Sequence, residues 1–240
     1  FPYTTLFRSA AMMKSIAQSE LDRKRFVYSD IGFILLQQVV EAVTGKILDA
    51  YLVSEFYRPM GLEHTLFQPL NRYKKADIMP TAANDYLRRQ DLCGYVHDEA
   101  AAFMGGVSGN AGLFSTAQEL GKIYQMILNE GELDGKRYLR PETCRIFTTE
   151  KSAVSHRGLG YDKPNLKDPK ANACASSAPA SVYGHTGFTG TCAWVDPEND
   201  LVYIFLSNRL CPDAWNGKLN SMKLRQAIQE VIYQSLYTPE

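Results

Sequence analysis

The 240-residue sequence has no excess of either charge. Its 26 Lys and Arg stand against 26 Asp and Glu, and the pI is about 7.1. With no basic patch, nucleic acid is not an expected partner. No apolar run approaches the roughly 20 residues that a membrane-crossing helix needs. No membrane span is therefore expected in this segment. The five cysteines, at 93, 144, 174, 192 and 211, form no Cys-x-x-Cys pair. None has a histidine at zinc-ligand spacing, so neither a metal nor another cofactor is expected. Their odd number argues against a complete disulfide framework. Internal repeats are absent too, which excludes solenoid and propeller architectures. The bulk composition, 45% apolar and 22% charged, is that of an ordinary folded chain. Its length suits one large domain or two intimate ones.

The most informative stretch is Tyr183-Gly184-His185-Thr186-Gly187-Phe188-Thr189-Gly190-Thr191. Two apolar, β-rich runs follow it, Cys192–Val195 and Leu201–Leu206. Between them lies Asp196-Pro197-Glu198-Asn199-Asp200, a cluster of turn formers. The pattern predicts two antiparallel strands joined by a short loop. Neither run alternates cleanly, so both faces are expected to be covered. Glycines at 184, 187 and 190 precede the first run, and glycine near a strand marks a bulge or a close backbone approach. Cys192, inside the predicted strand, reads as a small hydrophobe.

Helices dominate the first part of the chain. Ala10–Gln18 is short and helix-compatible. Ile31–Thr44 carries apolar residues at 31, 35, 39 and 43, and also at 34, 36 and 40, a helical stripe that Ser29 or Asp30 can cap and Gly45 can end. A second helix is predicted at about Ile47–Tyr57, stopping before Pro59. Residues 62–100 read as irregular. A glycine-rich, apolar loop, Phe103–Phe114, leads to Thr116 and Glu119, a capping box opening a helix that runs to about Asn129. A tight turn at Leu133–Lys136 follows, and Pro141 opens another helix. Gly158–Tyr161 is expected to be a short strand, 166–180 a surface loop, and Lys218–Leu236 a final helix. Helices first, then an antiparallel sheet closed by a helix, is an α+β layout.

Several of these words, in this order, carry a family resemblance. They are Tyr28-Ser29-Asp30-Ile31-Gly32-Phe33, Val43-Thr44-Gly45-Lys46 and Pro59-Met60-Gly61-Leu62-Glu63-His64-Thr65. Then come Ala111-Gly112-Leu113-Phe114-Ser115-Thr116 and His185-Thr186-Gly187-Phe188-Thr189-Gly190-Thr191. The set resembles the serine β-lactamase and penicillin-binding protein superfamily, in its class C-like branch of esterases and D-amino-acid peptidases. The resemblance implies an α+β, β-lactamase/transpeptidase-like fold, an antiparallel sheet flanked by helices plus a mostly helical subdomain. About 10–150 would be the helical part and about 151–240 the sheet part with its C-terminal helix.

That family uses three motifs: Ser-x-x-Lys, Tyr-x-Asn, and Lys-Thr-Gly or His-Thr-Gly. The second matches as Tyr28-Ser29-Asp30, with Asp where Asn is usual, and the third as His185-Thr186-Gly187. The first is missing, for no serine in the chain has a lysine three residues on. Phe1–Ser9 resembles the conceptual translation of a common sequencing adapter. The expectation is an artefact joined to a truncated frame, so that the first motif, the N-terminal strands and the nucleophile helix lie upstream.

A serine hydroxyl needs a base to become a nucleophile. A phenol titrates near 10 in water, so it serves only where cations help it. The resemblance makes Tyr28 that base, with the upstream lysine and His185 as cations or proton donors. It makes Phe188 N–H an oxyanion donor, places Asp30 and Thr186 against substrate, and lets Gly187 bring substrate close. Alone, a strand histidine is more often structural, and Asp30 can be a helix cap. His64 and His97 have no partner motif and read as structural or surface residues. The expected function is a serine hydrolase acting through an acyl-enzyme on an ester, a D-amino-acid peptide or a β-lactam. The chain as it stands would be inactive for want of its nucleophile. The competing expectation is a non-catalytic, peptide-binding accessory module. Either would take a small-molecule or peptide partner, at the bacterial cell envelope or periplasm where the family mostly acts, with an upstream domain attached.

Overall fold

A computed structural model describes residues 2–20 and 26–237. The chain divides into two compact units, residues up to 116 with 210–214, and 117–209 with 215 onward.

The first unit opens with α1 (Pro2–Gln18), and Ser9 Oγ in it donates to Met104 Sδ at 3.4 Å. Helix α2 (Ile31–Thr44) keeps its predicted bounds. It ends because Gly45 turns left-handed at φ 67° and returns its N–H to the Glu41 carbonyl. Within the predicted stripe, positions 31, 35, 39 and 43 do not become the buried face. Ile34 and Gln37 are buried instead, while Ile31, Leu35, Leu36, Val39 and Val43 are exposed. The helix has more apolar residues than one face can hold, so the direction of burial was not legible in its period.

Gln37 can be buried because its amide is satisfied. Its Oε1 accepts from Gly109 N at 3.0 Å, and its Nε2 donates to Glu41 Oε1 at 3.0 Å. The glycine-rich loop is thereby docked on α2. A Cβ at Gly109 would collide with the Phe33 carbonyl, which is why glycine stands there. Glu41 Oε1 also accepts from Leu48 N, tying α2 to α3 (Leu48–Leu52). A π-helical turn, Val53–Tyr57, continues α3. Farther on, Leu66 pairs with Phe114 and the Thr65 and Ser115 hydroxyls meet at 2.7 Å.

Residues 62–100 are less irregular than their composition suggests. They contain an antiparallel pair, β1 (Pro80–Asp85) and β2 (Gln90–Cys93), and a short helix α4 (Glu99–Phe103) capped by the Asp98 side chain. The pair escaped detection because Pro-Thr-Ala-Ala-Asn-Asp neither alternates nor favours strands. Long-range packing supplies what propensity does not: Leu92 and Ala82 are buried against Leu210.

The second unit opens with α5 (Ala117–Leu128), the hairpin β3 (Glu132–Leu133) and β4 (Lys136–Arg137), and α6 (Pro141–Thr149). Its sheet is β5 (Tyr183–Thr186), β6 (Cys192–Asp196) and β7 (Leu201–Phe205), antiparallel in the order β5-β6-β7. Every residue of β6 is buried, as its unbroken apolar run predicts. The hairpin turn is held by Asp196, whose Oδ1 accepts from the Glu198 and Asn199 amides. Its Oδ2 accepts from Tyr233 Oη at 2.8 Å.

Two expectations need correction here. The predicted strand at 158–161 is instead a single bridge one residue later, Asp162 opposite Gly184. The presumed surface loop 166–180 contributes Cys174, Ala175 and Ala178 to the core around Trp194, Tyr203 and Tyr233. Small residues without period hide such a role. Gln229 and Glu230 hold that loop by accepting from the Ala175, Ser176 and Ser177 amides. The final helix is also broken, into α7 (Lys218–Ser221) and α8 (Leu224–Tyr237), where Lys223 takes a left-handed φ of 48°.

Candidate functional site

The second motif stands at the head of α2 in the first unit. Phe26 to Ser29 form no regular element, and Tyr28 is 54% exposed. Of the two cap candidates, Asp30 stands at the cap position, while Ser29, one position earlier, accepts from Ile31 N at 3.3 Å through its Oγ. Asp30 has helical φ and ψ and no side-chain cap bond, so its carboxylate is not committed to capping.

The third motif stands on β5 and the loop after it, in the second unit. His185 pairs with Ala193 and Thr186 with Cys192, so both lie on the ladder to the buried central strand. On the other side of β5, Gly184 exchanges backbone bonds with Asp162. Gly184 is required twice over, since a Cβ there would strike the Ala193 carbonyl and come within 2.7 Å of Trp194 Cε3.

His185 is half-buried with both ring nitrogens engaged. Nε2 lies 2.9 Å from Arg157 Nη1 and Nδ1 lies 2.7 Å from the Thr186 carbonyl. A guanidinium has only donors and a carbonyl only accepts. The network therefore assigns the proton to Nδ1 and leaves Nε2 accepting from Arg157. Arg157 is steered in turn by buried Asp162, 3.6 Å from Nη2, whose other oxygen lies 2.8 Å from His156 Nε2. The Arg157 guanidinium thus sets a fixed positive charge against His185. No motif word contains Arg157, Asp162 or His156, and their spacing to His185 carries no signal.

Beyond Gly187 the loop turns tightly. Gly187 N donates to the Thr191 carbonyl at 2.8 Å and Gly190 N to the Gly187 carbonyl at 3.0 Å. Phe188 is 65% exposed, and the Arg209 guanidinium lies 4.3 Å from its ring centroid. Thiol chemistry has no place here. Burial pushes the Cys192 thiol up to about 11, so it stays protonated and packs as a small apolar group. His64 stacks on Tyr73 with ring centroids 5.5 Å apart.

A helical part carrying Tyr-x-Asp and a sheet strand carrying His-Thr-Gly can now be set beside known proteins. The family model described as Beta-lactamase matches residues 1–221. The chain belongs to the Beta-lactamase family. A protein of Escherichia coli (strain K12) named "Putative D-alanyl-D-alanine carboxypeptidase" is 38% identical over 197 residues, covering 77% of this chain and 45% of the relative. The chain thus spans about half the length of the curated relatives it matches. Among solved structures, an octameric penicillin-binding protein homologue from Pyrococcus abyssi aligns with a TM-score of 0.60 at 17% identity, over 95% of this chain and 50% of that one. A β-lactamase from Mycobacterium bovis aligns at 0.57 with 20% identity, over 88% and 64%. At such identities the structural likeness establishes the fold, a β-lactamase/transpeptidase-like one, as the sequence words imply.

Proposed function

We propose that this chain is the part of a serine hydrolase that carries the second and third motifs, with the nucleophilic serine and its lysine on an upstream segment. The observation that carries the reading is the His185-Thr186-Gly187 strand end, set on the ladder to a buried strand and followed by a tight turn at Phe188. Tyr28 takes the serine proton as Oγ attacks the scissile carbonyl. The oxyanion of the tetrahedral intermediate is received by Phe188 N–H and the serine's own amide. Collapse breaks the C–N bond, Tyr28 returns the proton to the leaving amine, and water hydrolyses the acyl-enzyme. Asp30 and Thr186 contact the substrate. The relatives' name supports a peptide ending in D-amino acids over an ester or a β-lactam, a substrate that suits the bacterial envelope expected from the family.

The test extends the reading frame upstream and measures D-alanine released from an acylated L-Lys-D-Ala-D-Ala tripeptide. Release by the extended protein, abolished when its Ser-x-x-Lys serine becomes alanine, is the expected result. One observation favours a second reading, a non-catalytic peptide-binding module: these 240 residues contain no Ser-x-x-Lys. An upstream segment that also lacks it, together with tight peptide binding and no release, would put that reading ahead.

A further inference from the structure

The loop after the His-Thr-Gly word is held by its carbonyl oxygens, five in succession. Gly187 O accepts from the Gly190 amide at 3.0 Å and from Arg225 Nη1 at 3.4 Å. Phe188 O accepts from Arg209 Nε at 2.6 Å, and Thr189 O from the Arg209 amide at 2.9 Å. Gly190 O accepts from Ser207 Oγ at 2.8 Å, and Thr191 O from Arg225 Nη1 at 2.9 Å. Arg225 Nη2 also donates to Asn220 Oδ1, which anchors the fork at its other end.

A peptide group is planar and trans, so its C=O and N–H point in opposite directions. Holding the Gly187 carbonyl therefore aims the Phe188 N–H, because the two belong to one peptide group. Holding the Phe188 carbonyl aims the Thr189 N–H in the same way. We propose that Arg225 is a positioning residue that aims the Phe188 N–H at the developing oxyanion, while Arg209 fixes the next peptide group of the same loop. This rests on the reading of Phe188 as an oxyanion donor. Neither arginine belongs to a motif, and both follow β7 in the chain.

The residue type matters as well as the charge. Arg225 reaches two carbonyls of the loop through one nitrogen and Asn220 through another, a fork that a lysine ammonium cannot reproduce. Both guanidiniums also set positive charge beside the loop, which favours negative charge at its N–H groups. Their proximity registers at Arg209, whose pKa is lowered first by burial and then by the Arg225 charge.

The first arm of the test uses the 240-residue chain. Amide proton–nitrogen spectra are compared for the parent and Arg225→Met, reading the cross-peaks of residues 187–191. One sharp set in the parent and shifted or multiple peaks in the variant, with circular dichroism unchanged, is the expected result. Unchanged cross-peaks overturn the proposal. The second arm uses the upstream-extended protein. Arg225→Met is expected to lower kcat by some tens of fold with KM within about twofold, on the scale of a misaimed oxyanion donor. Affinity for a boronic acid, whose serine adduct places a tetrahedral oxygen in the oxyanion position, should fall by the same factor. Arg225→Lys should restore little of either. A rise in KM at constant kcat overturns the proposal. If Arg225→Met does not fold, Arg225→Gln, which keeps a polar side chain but loses the guanidinium fork, is read by the same criteria. An inactive extended parent would sink the hydrolase reading, while the cross-peaks still decide whether Arg225 fixes the loop.

Discussion

The backbone beside Tyr28 is set by a contact two residues long, the Ser29 hydroxyl accepting from the Ile31 amide. The loop beside Phe188 is set by side chains 17 to 38 positions away. The surroundings differ in the same sense. Helix α2 leaves most of its large apolar residues exposed, whereas β6 buries every residue it has. The Ser29 contact beside the second motif is thus local, while the loop of the third is a tertiary construction, held by side chains that follow β7. Substitutions near the third motif should therefore act through packing, and those near the second through local propensity.

The largest effect should come from Gly184→Ala. The added carbon would strike the Ala193 carbonyl and the Trp194 ring across the β5–β6 ladder, and neither can yield without opening the core. The expected cost is about 3 kcal/mol or more, the upper range for overpacking. Urea unfolding followed by circular dichroism measures it. A parent-like midpoint would show that the third motif is less tightly built than its contacts imply.

Next in size is Tyr28→Phe in the upstream-extended protein. Loss of a general base costs about a hundredfold in turnover, close to 3 kcal/mol at the barrier. The aromatic ring is retained and the site is 54% exposed, so stability should be unchanged. His185→Ala should slow turnover and also raise KM, because it empties the place where Arg157 bonds. Parent-like ester turnover of Tyr28→Phe, with the fold intact, would remove the phenol from the mechanism.

What was legible in the sequence follows the same division. Turn formers at 196–200, Gly45 and Pro141 mark element ends because their backbone preferences are local: α2 has its predicted bounds, α6 its predicted start, and each hairpin strand ends within one residue of its predicted end. The β1–β2 pair, the core role of Cys174 and Ala175, and the break at Lys223 were hidden because tertiary packing decides them. So were the partners of the third motif. The words His-Thr-Gly and Tyr-x-Asp can be read directly, but nothing near residue 157, 209 or 225 announces what its side chain will hold.

A third prediction concerns acid. Hydrogen bonds from Arg88, at 2.8 Å to each Asp85 oxygen, are the main cause holding that buried carboxyl at about 2, below its ordinary 3.8. The folded-state pKa is the lower one, so the stabilisation is full above the unfolded pKa and is lost as pH falls from about 4 toward 2. It amounts to at most about 2 kcal/mol. Arg88 also donates to the Val96 and His97 carbonyls, so the loss loosens the segment after β2. Asp85→Asn should flatten the stability profile in that window. An unchanged acid limb would show that the ion pair contributes nothing.

The smallest effect is also the sharpest contrast. Gly32 lies in the first turn of α2, one residue beyond the second motif's neighbour Ile31, while Gly184 directly precedes the third motif. A Cβ there would meet nothing within 4 Å. Glycine in a helix costs up to about 1 kcal/mol relative to alanine, less near the end, and much of that cost is unfolded-chain entropy. Gly32→Ala should therefore stabilise the first unit by about half a kcal/mol. Ser29→Ala, which deletes the bond to Ile31 N, should destabilise it by a similar amount or slightly more. Gly32→Ala and Gly184→Ala thus carry opposite signs, and thermal unfolding of the pair measures both. If Gly32→Ala destabilised the protein by a kcal/mol or more, the head of α2 would be packed against something its open surroundings do not reveal, and the second motif would be as tertiary as the third.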